Sequence, residues 1–167
     1  LVASYAYDAS GKLLSLDYSD TTPDVSFTYD RLGHQLSAIA AGVSTNYYAY
    51  SRYGQLTNET VQGLVAASLS RTTDRLGRST GLSFLGEDTT PYSVAYGYDT
   101  YGRFTQVSNF QFRVSYSYLP GSSLVSGMTA STGHAWTRSY EPNRNLISAV
   151  ENTYGETVVS RFAYAND

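Results

Sequence analysis

The sequence predicts an all-β fold: an array of antiparallel β-hairpins joined into one long curled or spiralled sheet. Three observations carry that prediction. A motif of the form aromatic-x-aromatic-Asp-x-x-Gly recurs along the 167 residues. Its copies lie roughly 20 to 26 residues apart, within the range of repeat arrays and too short for a hairpin plus a helix. Tyr (17) and Gly (14) are abundant while Met occurs once, a composition that favours strands and turns over helices.

The copies run in order. Tyr5-Ala6-Tyr7-Asp8-Ala9-Ser10-Gly11 is followed by Phe27-Thr28-Tyr29-Asp30-Arg31-Leu32-Gly33. Tyr48-Ala49-Tyr50-Ser51-Arg52-Tyr53-Gly54 replaces only the Asp, and Arg71-Thr72-Thr73-Asp74-Arg75-Leu76-Gly77 keeps Asp and Gly but loses both rings. Tyr96-Gly97-Tyr98-Asp99-Thr100-Tyr101-Gly102 is again complete. Tyr116-Ser117-Tyr118-Leu119-Pro120-Gly121 changes the turn, and Arg138-Ser139-Tyr140-Glu141-Pro142-Asn143-Arg144 is weaker. Phe162-Ala163-Tyr164-Ala165-Asn166-Asp167 stops on the Asp of an eighth copy. Residues 1–167 are thus expected to form a single array of seven to eight repeats, part of a longer repeat region.

Each part of the motif has a physical role in a hairpin. Rings two positions apart on a strand project from one face, and the residue between them points the other way. Asp at the first position of a type I turn accepts backbone N–H groups, and the Gly three positions later takes the positive φ of a following bulge. A polar and then an apolar residue open the return strand, as in Lys12-Leu13, Gln55-Leu56 and Arg103-Phe104. In the sixth copy Pro120 and Gly121 stand at the central positions of a type II turn, so the bend survives without Asp. Longer excursions between hairpins are expected at Asp17 to Asp24, Gln62 to Ser70 and Gly86 to Pro91. A lone hairpin is marginal in water, so neighbours must pair edge to edge into a quasi-one-dimensional sheet.

Composition narrows the function classes. The net charge is −3 with Lys and Arg scattered, which argues against nucleic acid. No Cys is present and His occurs twice, which removes thiolate sites and leaves a poor ligand supply, so neither metal nor cofactor is expected. No apolar run approaches the ~20 residues of a membrane-spanning helix, and no signal peptide opens the segment. Asp8, Asp30, Asp74 and Asp99 are explained as turn formers, and their neighbours fall about 10 Å apart, too far to share an ion. His34 and His134 lie near no nucleophile motif, and no catalytic residue is assigned.

These copies resemble the RHS and YD-repeat family, whose consensus is close to Tyr-Asp-x-x-Gly-Arg-Leu. Asp99-Thr100-Tyr101-Gly102-Arg103-Phe104 and Asp74-Arg75-Leu76-Gly77-Arg78 are the nearest matches. The resemblance implies a wall segment of a hollow β-shell, as in bacterial RHS proteins, insecticidal toxin complexes and teneurin-like proteins. It also implies a secreted or cell-surface bacterial setting, with neighbouring repeats of a longer chain, further copies of itself or an enclosed cargo domain as partners. The self-cleaving Asp-Pro-x-Gly segment of the toxin shells has no counterpart here. The expectation is a non-enzymatic scaffold. Two alternatives stand beside it: a carbohydrate or receptor-binding module using exposed Tyr and Trp136, and a subunit that assembles into fibres or rings through open sheet edges.

Overall fold

The computed structural model describes residues 2–87 and 90–166. It contains fifteen strands and no helix among the described residues. In chain order these are β1 (Ala3–Tyr7), β2 (Leu13–Tyr18), β3 (Val25–Tyr29), β4 (Gln35–Ala40), β5 (Ser44–Tyr50), β6 (Leu56–Gly63), β7 (Ala67–Thr73), β8 (Ser79–Leu85), β9 (Tyr92–Tyr98), β10 (Phe104–Ser108), β11 (Arg113–Tyr118), β12 (Val125–Ala130), β13 (His134–Tyr140), β14 (Ile147–Tyr154) and β15 (Thr157–Ala163). The chain divides into two compact units, Leu1–Ser93 and Val94–Asp167, with the division inside β9. In the first, β1 to β8 pair antiparallel, each with its neighbour in the chain. In the second, β9 to β15 do the same. The all-β hairpin array read from the sequence is therefore the fold.

Every motif-bearing hairpin carries a β-bulge at one place. Tyr7 pairs with Leu13 and Ala6 with Ser15, so Leu14 has no partner. The same skip leaves Leu36, Thr57 and Thr80 unpaired in the first unit. Thr105, Ser126 and Ser148 are unpaired in the second. A bulge adds local twist and re-aims the strand, and in five of these hairpins the unpaired residue lies three positions after the turn Gly. Opposite the rings, the strand faces carry hydroxyls that pair across the hairpin: Thr28 with Ser37 at 2.7 Å, Thr80 with Thr72 at 3.0 Å and Ser126 with Ser117 at 3.1 Å.

Among the described residues no hydrophobic side chain is fully buried; Ser37 is buried between strands. Stability therefore comes from ladders and from half-covered rings, as in Val25–Tyr29, where Val25, Phe27 and Tyr29 are half-buried and alternate with exposed Ser26 and Thr28. The stretch Gln62 to Ser70, expected as a loop, is mostly strand, and only residues 64–66 connect β6 to β7. Gly63 allows this. Its φ is +134°, and a Cβ there would lie 2.3 Å from the Val43 carbonyl oxygen, so only glycine lets the chain turn so close to β5. Within the excursion expected at Gly86 to Pro91, Asp88 and Thr89 lie outside the described residues, as does Asp167 of the eighth copy.

Candidate functional site

Among the described residues the recurring arrangement is the joint between one hairpin and the next. It begins in the turn. The Gly11 N–H donates to the Asp8 carbonyl at 3.0 Å, and the Asp8 N–H donates to the Lys12 carbonyl at 2.9 Å. Asp8 Oδ1 accepts the N–H groups of Ser10 and Lys12 at 2.8 and 2.9 Å. Asp30, Asp74 and Asp99 each accept the equivalent two N–H groups. Ser51 does so more weakly through its hydroxyl, at 3.2 Å. Gly11, Gly33, Gly54, Gly77 and Gly102 all have φ between 77° and 94°. In the sixth copy the Ser122 N–H donates to the Leu119 carbonyl at 3.1 Å, Gly121 has φ +67°, and Pro120 opens the bend.

At Asp30, Asp74 and Asp99 the second carboxylate oxygen holds the side chain four residues further on. Asp30 Oδ2 meets His34 Nδ1 at 2.8 Å, and Asp74 and Asp99 meet Arg78 and Arg103 Nε at 2.6 Å. These bonds depress the carboxyl pKa values. The Lys12 N–H and the Ser10 hydroxyl hold Asp8 below the ordinary value of 3.8, and the His34 side chain is the main cause for Asp30. For Asp74 and Asp99 desolvation is the largest single influence and pushes upward, but the Arg side chain and two backbone N–H groups together outweigh it.

The side chain at that position reaches over the next hairpin. Lys12 Nζ lies 5.4 Å from the Tyr29 ring centre, the His34 ring stacks on Tyr50 at 4.7 Å, and the Arg103 guanidinium lies 4.4 Å over Tyr118. Arg103 also donates to the Ser122 carbonyl in that neighbour's turn. In the fourth copy Thr73 replaces the ring, and the side chain that would cover it is Gln55, whose Nε2 donates instead to the Gly77 carbonyl at 3.1 Å.

The ring so covered reaches back. Tyr29 donates its hydroxyl to the Leu13 carbonyl at 2.9 Å, Tyr50 to Gln35 at 3.0 Å, Tyr118 to Phe104 and Tyr140 to Val125 at 2.8 Å. Each acceptor is the first residue of the preceding return strand. The eighth copy keeps the contact with other chemistry. Asn166 stands where the donating Tyr stands elsewhere, and its Nδ2 donates to the Ile147 carbonyl at 3.0 Å and to Glu141 Oε1 at 2.9 Å. Tyr164 then occupies the first ring position, and Phe162 lies two residues before the pair.

The other motif rings fill the sheet face. Phe27, Tyr48, Tyr96 and Tyr116 are half-buried, and Phe104 collects Tyr96, Tyr98 and Tyr116 at 6.1, 5.8 and 5.7 Å. Tyr5, Tyr7, Phe162 and Tyr164, on or next to β1 and β15, are exposed. His134 packs edge-on to Tyr154 at 4.9 Å, and Trp136 lies under Arg138 at 4.4 Å. The hydroxyl-to-carbonyl bond and the reach of the fourth side chain were not read from the sequence. The signal was there: a polar or basic residue follows each turn Gly, and it becomes Gln where the neighbouring ring is lost.

No protein-family model matches the chain, and no curated protein matches it. Solved structures do. The chain aligns over 99% of its length with 12% of a chain in the crystal structure of TcdB2-TccC3-Cdc42, at 12% identity and a TM-score of 0.37. The likeness is to toxin-complex chains. TcdB2-TccC3 itself aligns at 11% identity with the same coverage and TM-score. A porin-like protein from Bacteroides uniformis aligns over 95% of this chain and 86% of its own at 12% identity, with a TM-score of 0.43. Identities and TM-scores this low transfer no residue and no role. The chain spans about an eighth of the toxin-complex chains it matches.

Proposed function

We propose that the chain is a structural β-scaffold, a stretch of wall in which interlocked hairpins enclose or display other parts of a larger secreted or surface protein. One observation supports this reading above the rest: in both units a motif tyrosine, Tyr29, Tyr50, Tyr118 or Tyr140, returns its hydroxyl to the first carbonyl of the previous hairpin's return strand. A geometry repeated at several joints, with Asp, Tyr and the covering side chain each replaceable, is what a wall needs and what a single binding or catalytic centre does not. The partners on this reading are neighbouring repeats and whatever the wall encloses, and no catalytic role is assigned.

Hydrogen exchange read by mass spectrometry tests it. Interlocked hairpins protect the middle strands of each unit well beyond those at its margins, because their opening requires two joints to break. Uniform, weak protection from strand to strand would mean independent hairpins and would remove the scaffold reading.

A further inference from the structure

We infer that the turn edge of the first unit is a membrane-facing ridge that docks on an anionic lipid surface. The two central residues of three consecutive tight turns are Arg31-Leu32, Arg52-Tyr53 and Arg75-Leu76. The hairpins follow one another in the sheet, so these tips stand in a row along one end, two strand widths or about 10 Å apart. All three apolar tips are open to solvent: Leu32 is 81% exposed, Tyr53 66% and Leu76 78%. Among the described residues no carboxylate pairs with Arg31, Arg52 or Arg75. The turn carboxylates beside them, Asp30 and Asp74, are already held by their own turns and by His34 and Arg78. A hollow of about 370 Å³ opens between the second and third of these tips, lined by Tyr53, Gln55, Arg75, Leu76 and Gly77.

Arg52 lies 4.6 Å over the Tyr53 ring and donates to its hydroxyl, but the bend itself requires none of these side chains. The central positions of a type I turn suit polar residues, and Leu there gains nothing from the hairpin. Single exposed apolar residues are ordinary on protein surfaces, but a basic-apolar pair at the same turn position in three neighbours is a pattern. Its chemistry selects the partner. Guanidinium groups alone would serve any polyanion, whereas Leu32 and Leu76 offer a soluble anionic polymer no hydrogen bond. A bilayer presents anionic headgroups with hydrocarbon directly beneath, so each pair finds both of its partners, and a row of tips fits a plane. The opposite end of the unit carries Asp17, Asp20, Asp24 and Glu87, which turns that end away from the same surface.

Vesicle co-sedimentation of the whole chain tests the inference, using phosphatidylcholine with and without phosphatidylserine. Binding is expected only with phosphatidylserine, falling with salt, and weakening about fivefold for each of Arg31→Gln, Arg52→Gln and Arg75→Gln. The chain lacks Cys, so Leu32→Cys and Val43→Cys, each carrying an environment-sensitive dye, read orientation. The dye at Leu32 should shift to the blue on vesicles and the dye at Val43 should not. The substituted positions are exposed, and unchanged circular dichroism shows that the fold is intact. Failure to bind phosphatidylserine vesicles overturns the inference. So does binding indifferent to the three Arg substitutions, equal shifts from both dyes, or capture by a soluble acidic polysaccharide or peptide while vesicles stay bare.

Discussion

Replacing Thr73 with Tyr should strengthen the protein, because the joint it would complete is built except for the ring. Thr73 pairs with Ser79 as Tyr29 pairs with Gln35, and the Leu56 carbonyl stands where Leu13 stands for Tyr29. Thr73 is exposed at the end of β7, so the larger side chain displaces nothing buried. Gln55 would cover the new ring as Lys12 covers Tyr29. A hydrogen bond of this kind contributes about 0.5–1.5 kcal/mol net, which corresponds to a rise in Tm of about 1–6 °C for a chain of this size. Thr73→Phe separates the two contributions, since it supplies the ring without the hydroxyl. Urea titration of Thr73→Tyr, Thr73→Phe and the reverse changes Tyr29→Phe and Tyr140→Phe gives all four values under one set of conditions. The hydroxyl is expected to account for about 1 kcal/mol in each comparison. Equal stability of the Tyr and Phe variants at position 73, together with no loss in Tyr29→Phe and Tyr140→Phe, would refute the proposed joint.

Three further outcomes follow from the geometry. Gly11→Ala meets only an unfavourable φ of +84° and should cost about 1–2 kcal/mol, whereas Gly63→Ala also drives a Cβ into the Val43 carbonyl and should cost clearly more; denaturant midpoints rank them, and the reverse order would contradict the close approach. His34→Arg should be tolerated, because Arg78 and Arg103 hold the same place against the same carboxylate oxygen, while His34→Ala loses the stack on Tyr50, about 1 kcal/mol; equal losses would argue against a shared role. Asp8, Asp30, Asp74 and Asp99 have folded pKa values below the ordinary 3.8, so their stabilisation is complete above that value and disappears as pH falls through the folded values. Thermal midpoints from about pH 6 to about pH 2 should therefore fall on the acid side, less steeply in Asp74→Asn/Asp99→Asn, and an unchanged acid limb would count against the turn carboxylates.

What the sequence made legible was local. Asp and Gly three residues apart specify a turn whose hydrogen bonds close within five residues, and alternating rings specify a strand face, so the hairpin array could be read from the motif alone. What escaped depends on register between hairpins. The bond from Tyr29 to Leu13 spans 16 residues, and that from Asn166 to Ile147 spans 19. Neither can be seen until the bulge fixes which residues face each other. Asn166 breaks the aromatic pattern while keeping a donor at the same spot, so a difference of residue type hides a similarity of role. Gln62 to Ser70 looked like a loop because its small and apolar residues lack the motif, yet Gly63 lets two strands meet there. The Arg residues at positions 31, 52 and 75 are scattered along the chain, and only the meander sets them side by side.

A hydroxyl that always reaches toward the earlier hairpin gives the array a direction in time. The Leu13 carbonyl is made before Tyr29, Gln35 before Tyr50, Phe104 before Tyr118 and Val125 before Tyr140. As the chain leaves the ribosome, or a pore crossed N-terminus first, each of these tyrosines arrives at a seat already waiting for it, and at Tyr29, Tyr50 and Tyr118 the side chain poised beside that seat closes over the ring. Assembly then proceeds in the order of synthesis through contacts between near neighbours, which keeps loop closures short and exposed strand edge to one hairpin at a time. A chain delivered from the other end would present donors whose acceptors do not yet exist.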